Sequence, residues 1–548
     1  MEILTKTFEK TMRRCWDTPA LGDFRKSDQT YREVADDIAK LQFIWKEAGL
    51  GEGDKIAINA KSSSNWIKLF MAGITGRFVT VQLFNGFIPQ DVVNLVNHSG
   101  SRILYTEKNT FSKMDTSKLE NVIAIYDANT MELLHAGDDY KAAVERAEAL
   151  YAQKYPQGIQ KEDVVYADLD EDDIIAIMYT SGSTGNPKGV MLSAGNFSVN
   201  VEAILELFPY YEGETYLSIL PFAHIFGLTC DAIIPITIGM HTVVLGIPPI
   251  PANVKDAMNA TKPRIFFAVP LIFMKFIEYT VGEYIHTPEG KAKLDDYENN
   301  PEFCAMLRDK VLEALGGNIN VFVTGGAAIP SDLEILLTKK LNVPFITGYG
   351  MTETAPLISA GKVGSYKLKS CGEYSAKCVS TKILSPDPAS IPGELLVKGP
   401  AVFKGYYRNQ EATDAAFTED GWFHTGDVGT IDADGTLFLV GRCKNMLLSE
   451  NGQNVYPEEV EVILNQLPYV AESLIVQRDS KLTALIVPNV DLASNNNIDA
   501  ASLEAIMRQN IIKLNSEIPG YSAIHDFEIR FEPFSKTPKG SIRRFMYK

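Results

Sequence analysis

The chain has 548 residues, with 52 Lys plus Arg against 69 Asp plus Glu and a formal net charge of −17. That length exceeds one compact domain, so at least two are expected, each with a core of ample size. The 45% hydrophobic and 22% charged shares are those of a soluble globular protein. The acidic balance argues against nucleic acid as a general partner, so any site for an anionic ligand must be locally basic. The six cysteines (Cys15, Cys230, Cys304, Cys371, Cys378 and Cys443) form no CxxC pair and no ladder with histidines. They read as reduced thiols in a cytoplasmic protein, not as a zinc site. No apolar run is long enough for an integral membrane segment, and "MEILTKTFEKTMRR" lacks the apolar centre of a signal peptide. Peripheral contact with a membrane surface stays open, as does the oligomeric state.

The pattern along the chain predicts parallel βαβ units. "TYREVADDIAKLQFIWKEAGL" has helical apolar spacing and ends before a glycine. "DKIAINA" follows as a strand, "NWIKLFMAGITG" as a helix and "FVTVQLF" as a strand. Residues 129–165 and 282–302 are polar and are expected on the surface. "IIAIMY" is a strand that runs into "YTSGSTGNPKGV", after which "VMLSAGNFSVNVEAI" reads as a turn and then a helix. Further strands are expected at "HTVVLGI", "RIFFAVP", "NINVFVTGG" and "VPFITGYG", with helices at "PLIFMKFIEYTVGEY" and "IPSDLEILLTKKLN". From about residue 392 short strands dominate ("GELLVKG", "TLFLVGR", "ESLIVQR", "LTALIVP"), with hairpin turns at "DADG" and "QRDSK". The expected class is α/β: a large N-terminal domain of parallel-type layers plus a β-rich part over residues 1–440. A small mobile α+β C-terminal domain would cover 441–548.

Four stretches carry chemistry. In "YTSGSTGNPKGV", Gly182, Gly185 and Gly189 let backbone N–H groups approach an anion. Ser181, Ser183 and Thr184 add hydroxyl donors and Lys188 adds a point charge. The spacing is not G-x-x-x-x-G-K-[ST], so this is a phosphate loop of another kind; the bland alternative is a flexible polar loop. In "GYGMTET", Thr352 can donate to a phosphate oxygen and Glu353 is a hard ligand suited to Mg²⁺, or the pair merely caps a helix. In "GWFHTGDVG", Asp427 between two glycines reads as an exposed loop carboxylate able to accept both hydroxyls of a ribose, or as a turn-stabilising residue. In "GRCKNMLLSENGQNVYPEEVEVIL", Arg442 can reach ribose or phosphate, and Lys444 lies where two domains would meet. "YPEEVE" starts a helix with proline in its first turn.

Taken in order and spacing, these motifs resemble the adenylate-forming superfamily of acyl-CoA synthetases, luciferases and peptide-synthetase adenylation domains. The stretch from "GRCKN" to "EEVE" is most similar to bacterial long-chain fatty acyl-CoA synthetases. The resemblance implies an enzyme that joins a carboxylic acid to ATP as an acyl-adenylate, releases pyrophosphate, and passes the acyl group to a thiol, usually coenzyme A. It implies that Thr180 to Lys188 hold the ATP phosphates, that Thr352 meets the α-phosphate and that Glu353 binds Mg²⁺. Gly326, Ala327, Ala328, Tyr349 and Gly350 would line the adenine site, Asp427 and Arg442 would hold the ribose, and Lys444 would be the hinge.

"LPFAHIFGLTCDAIIP" resembles the family motif that lines the acid pocket. Phe222 is followed by Ala223, where amino-acid activators carry an aspartate for the α-amine. This and His224 point to a fatty or aryl acid, with Gly325 and Gly350 leaving room for an alkyl chain. One departure stands out. The family's last motif, P-K-T-x-x-G-K-[IL]-x-R, meets "FSKTPKGSIRRFMYK", which has Ser541 at the position of the catalytic lysine. Loss of such a cation costs ~10²–10³ in rate. Three readings follow: Lys539 fills the role from a shifted loop; Lys536 does so, or the position contributes little; or the chain binds an acyl-nucleotide with little turnover. A ligase that loads a carrier protein instead of coenzyme A is a further alternative.

Overall fold

The computed structural model describes residues 2–180, 187–449, 453–478, 481–537 and 541–547. Its first large sheet has seven strands in the order Leu133–Ala136, Ala124–Asp127, Ile103–Thr106, Lys55–Asn59, Val79–Gln82, Ile174–Thr180, Lys188–Ser193. The five inner strands are parallel and the two edge strands antiparallel. Crossover helices cover the faces, as parallel strands require. The helix Tyr31–Glu47 opens with a capping box in which Thr30 and Glu33 satisfy each other's backbone N–H groups. Its Val34, Ile38, Leu41 and Trp45 are buried in the main core.

A second sheet runs Ile265–Ala268, Val321–Thr324, Phe345–Gly350, Leu357–Ala360, Glu373–Tyr374, its first three strands parallel. An antiparallel sheet of Ser380–Leu384, Gly393–Lys398, Phe423–Ile431 and Leu437–Arg442 follows. The chain then forms a separate C-terminal unit. In it a hairpin of Val470–Arg478 with Lys481–Pro488, plus the strand Asp526–Ile529, packs on the helices Pro457–Leu464 and Ala500–Glu517 around its own core. The expected α/β class and the separation into a large and a small domain are therefore found.

Three local expectations change. Lys188–Ser193 is a strand, not a turn: it pairs back on Ile174–Thr180, and the helix starts only at Ala194. Asp427 is not in a loop but within the strand Phe423–Ile431, paired with Arg442. The polar segment 129–165 contains a 17-residue helix, Asp138–Lys154, whose Tyr140, Ala143, Ala147 and Tyr151 are buried. All six cysteines are free thiols. Among the described residues no helix is long and apolar enough to cross a membrane.

Candidate active site

The carboxyl ends of the parallel strands Val321–Thr324 and Phe345–Gly350 lie side by side, where ligands bind in open α/β sheets. Gly326, Ala327 and Ala328 follow the first strand and are exposed. Tyr349 ends the second, and its hydroxyl donates to Asp427 Oδ2 at 2.5 Å. Arg442 Nε donates to the other oxygen, Oδ1, at 2.7 Å. Asp427 is thus 5% exposed with both oxygens engaged, against the expectation of an open carboxylate. Burial raises its pKa, and the Arg442 charge and the Tyr349 hydroxyl pull it back. Tyr349, Asp427 and Arg442, which are far apart in sequence, are brought into direct contact.

Thr352 and Glu353 lie in a single 3₁₀ turn, Thr352–Thr354, after the strand. The turn is held from behind by the helix Ala194–Leu207: Asn200 Nδ2 donates to Thr354 O at 2.9 Å and its Oδ1 accepts from Leu357 N at 2.8 Å. One helical turn earlier, Asn196 Nδ2 donates to the carbonyls of Pro400 and Val402. Both asparagines are fully buried. The sequence reading missed them, although two Asn four residues apart, on one face of a helix, were a visible signal. Thr180 and Lys188 pair across the hairpin of Ile174–Thr180 with Lys188–Ser193. Ser181, Gly182, Ser183, Thr184 and Gly185 lie outside the described residues.

The turn that carries His224 is fixed from below. Ser62 Oγ accepts from Phe222 N at 2.9 Å and donates to Leu220 O, and the Phe222 ring packs in the core 5.3 Å from Trp66. His224 is half-buried with its ring 5.0 Å from Phe84. Gly325 needs its lack of a side chain: a Cβ there would stand 2.9 Å from Gly348 O and 3.6 Å from the Phe226 ring. Gly350 has a packing reason as well, because a Cβ would lie 1.9 Å from Pro356 O. Asp231, the one acid of "LPFAHIFGLTCDAIIP", is turned into the core. It accepts from Tyr216 Oη, Ser218 Oγ and the N–H groups of Ile219 and Leu220. Burial raises its pKa to about 6. Its role as the anchor of this turn was not legible in the sequence, because its partners lie 11 to 15 residues upstream.

At the far end of the chain Lys536 pairs with Glu472 of the same domain. Lys536 bridges to Ile542, and Thr537 N donates to Ser541 O at 2.8 Å, which makes a small hairpin with Ser541 exposed. Lys539 lies outside the described residues. Arg544 forks onto Glu461, whose pKa burial lifts to about 7 in spite of the arginine. Lys444 sits in the 3₁₀ turn Cys443–Asn445, directly after the last strand of the large unit.

Side-by-side ends of parallel strands, a hairpin of Ile174–Thr180 with Lys188–Ser193 and a small separate C-terminal domain make up an adenylate-forming enzyme fold. Residues 8–407 match the family described as AMP-binding enzyme, and residues 444–547 match the AMP-binding enzyme C-terminal domain. The chain belongs to this AMP-binding enzyme family of acid–thiol ligases. Long-chain-fatty-acid–CoA ligase 1 of Schizosaccharomyces pombe is 25% identical over 526 residues, covering 89% of this chain and 76% of the relative. ATP-bound MatB from Rhodopseudomonas palustris superposes with a TM-score of 0.76 at 20% identity, over 99% of this chain and 98% of the other. The anthranilate CoA ligase AuaEII in complex with anthranoyl-AMP does so with 0.78 at 19% identity, over 100% and 96%.

Proposed function

We propose that the chain activates a medium- or long-chain fatty acid with ATP and Mg²⁺ and transfers the acyl group to coenzyme A, releasing AMP and pyrophosphate. The observation that carries this reading is the fate of the acid-pocket charges. Ala223 stands where an amine-binding aspartate would, and Asp231 is spent on four internal donors. The His224 ring lies against Phe84, and Gly325 lies against Phe226, apolar neighbours that favour an uncharged acyl group. The likeness to a fatty-acid ligase supports it, while an aryl-CoA ligase among the structural neighbours keeps aryl acids as the second substrate class.

In this reading the residues work by placement. Thr352 donates to the α-phosphate, and Tyr349 with Gly326, Ala327 and Ala328 encloses the base. Asp427 and Arg442 take the ribose, and Lys188 faces the phosphates that leave. Glu353 offers hard oxygen, and among the described residues no three His, Cys, Asp or Glu side chains converge on a metal-sized site. A Mg²⁺ held by Glu353 would therefore take its other ligands from phosphate oxygens and water, which is its ordinary preference. It would neutralise charge as the carboxylate approaches. Displacement at the α-phosphorus brings anions together, so charge neutralisation and alignment supply most of the rate. The thiol needs another path to the acyl carbon, and the domain junction at Lys444, near a boundary at residues 440–441, is where the small domain would turn.

The test is pyrophosphate release across a panel of carboxylic acids, each with and without coenzyme A. Fatty acids should stimulate release, and coenzyme A should turn the adenylate over. Stimulation by aryl acids alone would replace the fatty-acid assignment, and ATP binding without acid-dependent release would make the chain a binding protein.

A further inference from the structure

Tyr406 lies outside all the motifs above, yet it touches two of them. Its hydroxyl donates to Glu353 Oε1 at 3.0 Å, and Lys188 Nζ stands 4.7 Å from the centroid of its ring. The segment around it is stitched to both sides of the site. Tyr407 N donates to Gly189 O at 2.7 Å, Met191 N to Gly405 O at 3.0 Å and Lys404 N to Met191 O at 3.0 Å, so residues 404–407 run along the outer strand of the phosphate-loop hairpin. Phe403 N donates to Glu353 O at 2.8 Å, which ties the same segment to the glutamate turn. Tyr406 N is held by Thr413 Oγ1 at 2.9 Å, and the ring packs 4.9 Å from Phe403. The side chain thus has one position, between a cation and an anion.

We propose that Tyr406 is a positioning residue that keeps Lys188 and Glu353 from pairing with each other, so that the ammonium stays free for phosphate and the carboxylate for the metal ion. Opposite charges in a half-buried site attract strongly, and a direct pair would occupy both groups. A ring face holds an ammonium more weakly and leaves its N–H donors pointing elsewhere. The hydroxyl fixes one carboxylate oxygen and orients the other. Among the described residues Glu353 Oε2 has no hydrogen-bond partner, and Lys188 has no carboxylate within ion-pair distance.

This inference rests on the nucleotide reading above, and direct binding separates the two. ATP is titrated into the full-length protein by calorimetry, with no acid present and hence no turnover, over a series of Mg²⁺ concentrations. The proteins are wild type, Tyr406→Phe, Tyr406→Leu, Glu353→Gln and Tyr406→Leu/Glu353→Gln. Tyr406→Leu should need about 5–10-fold more Mg²⁺ for half of its effect and bind metal-free ATP about 5-fold more weakly, whereas Tyr406→Phe, which keeps the ring, should stay within about 3-fold of wild type. In the double variant the anion is gone, Lys188 is released, and metal-free ATP affinity should return to within about 2-fold of Glu353→Gln alone. A purely structural tyrosine would give no such recovery. Tyr406→Leu within 2-fold of wild type, Tyr406→Phe as impaired as Tyr406→Leu, or no recovery in the double variant would each overturn the proposal; a Tyr406→Leu protein that does not fold leaves the Phe comparison and Tyr406→Met to decide it. Wild type that binds no ATP at any Mg²⁺ level would instead overturn the nucleotide reading, and this one with it.

Discussion

The turn Thr352–Thr354 and the hairpin around Lys536–Ile542 both carry charged groups assigned to the same half-reaction, but they are prepared differently. The turn is locked by Asn200, by Phe403 and by the Tyr406 hydroxyl, and its carboxylate keeps one oxygen in reserve. The C-terminal segment instead pairs described charges inside its own domain, Lys536 with Glu472 and Arg544 with Glu461. On the proposed roles, the large domain would hold its half of the site ready before any ligand arrives. The small domain must break internal pairs, or use a different lysine, to contribute.

Four experiments would break or sharpen that contrast. The largest effect is expected from Arg544→Ala, which leaves Glu461 buried without its partner. Loss of one member of such a pair costs about 3–5 kcal/mol. Hydrogen exchange should show the loss confined to the C-terminal domain. It should be smaller below pH 7, where a carboxyl with a pKa lifted to about 7 takes up a proton. If exchange in the large domain rises equally, the two regions are not independent.

Next, Glu353→Gln and Lys539→Ala should each lower acid-dependent pyrophosphate release by ~10²–10³, with Ser541→Ala close to wild type. Lys539→Ala with undiminished activity would remove Lys539 from the reaction. Third, Asp427→Asn should raise the KM for ATP by about 10–100-fold with little change in kcat, the worth of one hydrogen-bonded charge. A loss in kcat alone would argue against a ribose role.

The smallest effect concerns pH. Asp231 has its pKa raised from 3.8 to about 6 by burial, so between those values the folded chain holds a proton that the unfolded chain has lost. Stability should then be highest below about pH 4 as far as this group is concerned, and should fall as pH rises to about 6. Thermal unfolding across that window should show the slope in wild type and not in Asp231→Asn.

Much of the large domain was legible because its signals are local. "IIAIMYT" is a continuous apolar run of strand length, and Thr30 with Glu33 spells a helix start. The strand Lys188–Ser193 was not legible, since what makes it a strand is pairing across a loop, and the following "AGNFSV" draws the eye to a helix. The helix Asp138–Lys154 hides its buried face in tyrosines and alanines among charges, so its amphipathicity is weak. At the site, the motifs stand out in the sequence, and their proposed roles come from the resemblance to the family. The residues that hold them (Asn196, Asn200, Asp231 and Tyr406) act through partners remote in sequence, which only the fold brings near.

The double hold on Asp427 bears on which nucleotides the site would accept. Tyr349 and Arg442 already satisfy the buried carboxylate, so each sugar hydroxyl that docks there takes the place of one donor. Only a vicinal diol replaces both contacts in kind. A 2′-deoxynucleotide would replace one contact and leave the other donor in place, giving up one of the two contacts that a ribose makes to a 5%-exposed carboxylate. A preference for ribose over deoxyribose would then arise from the number of contacts exchanged, with no residue needed to clash against the wrong sugar.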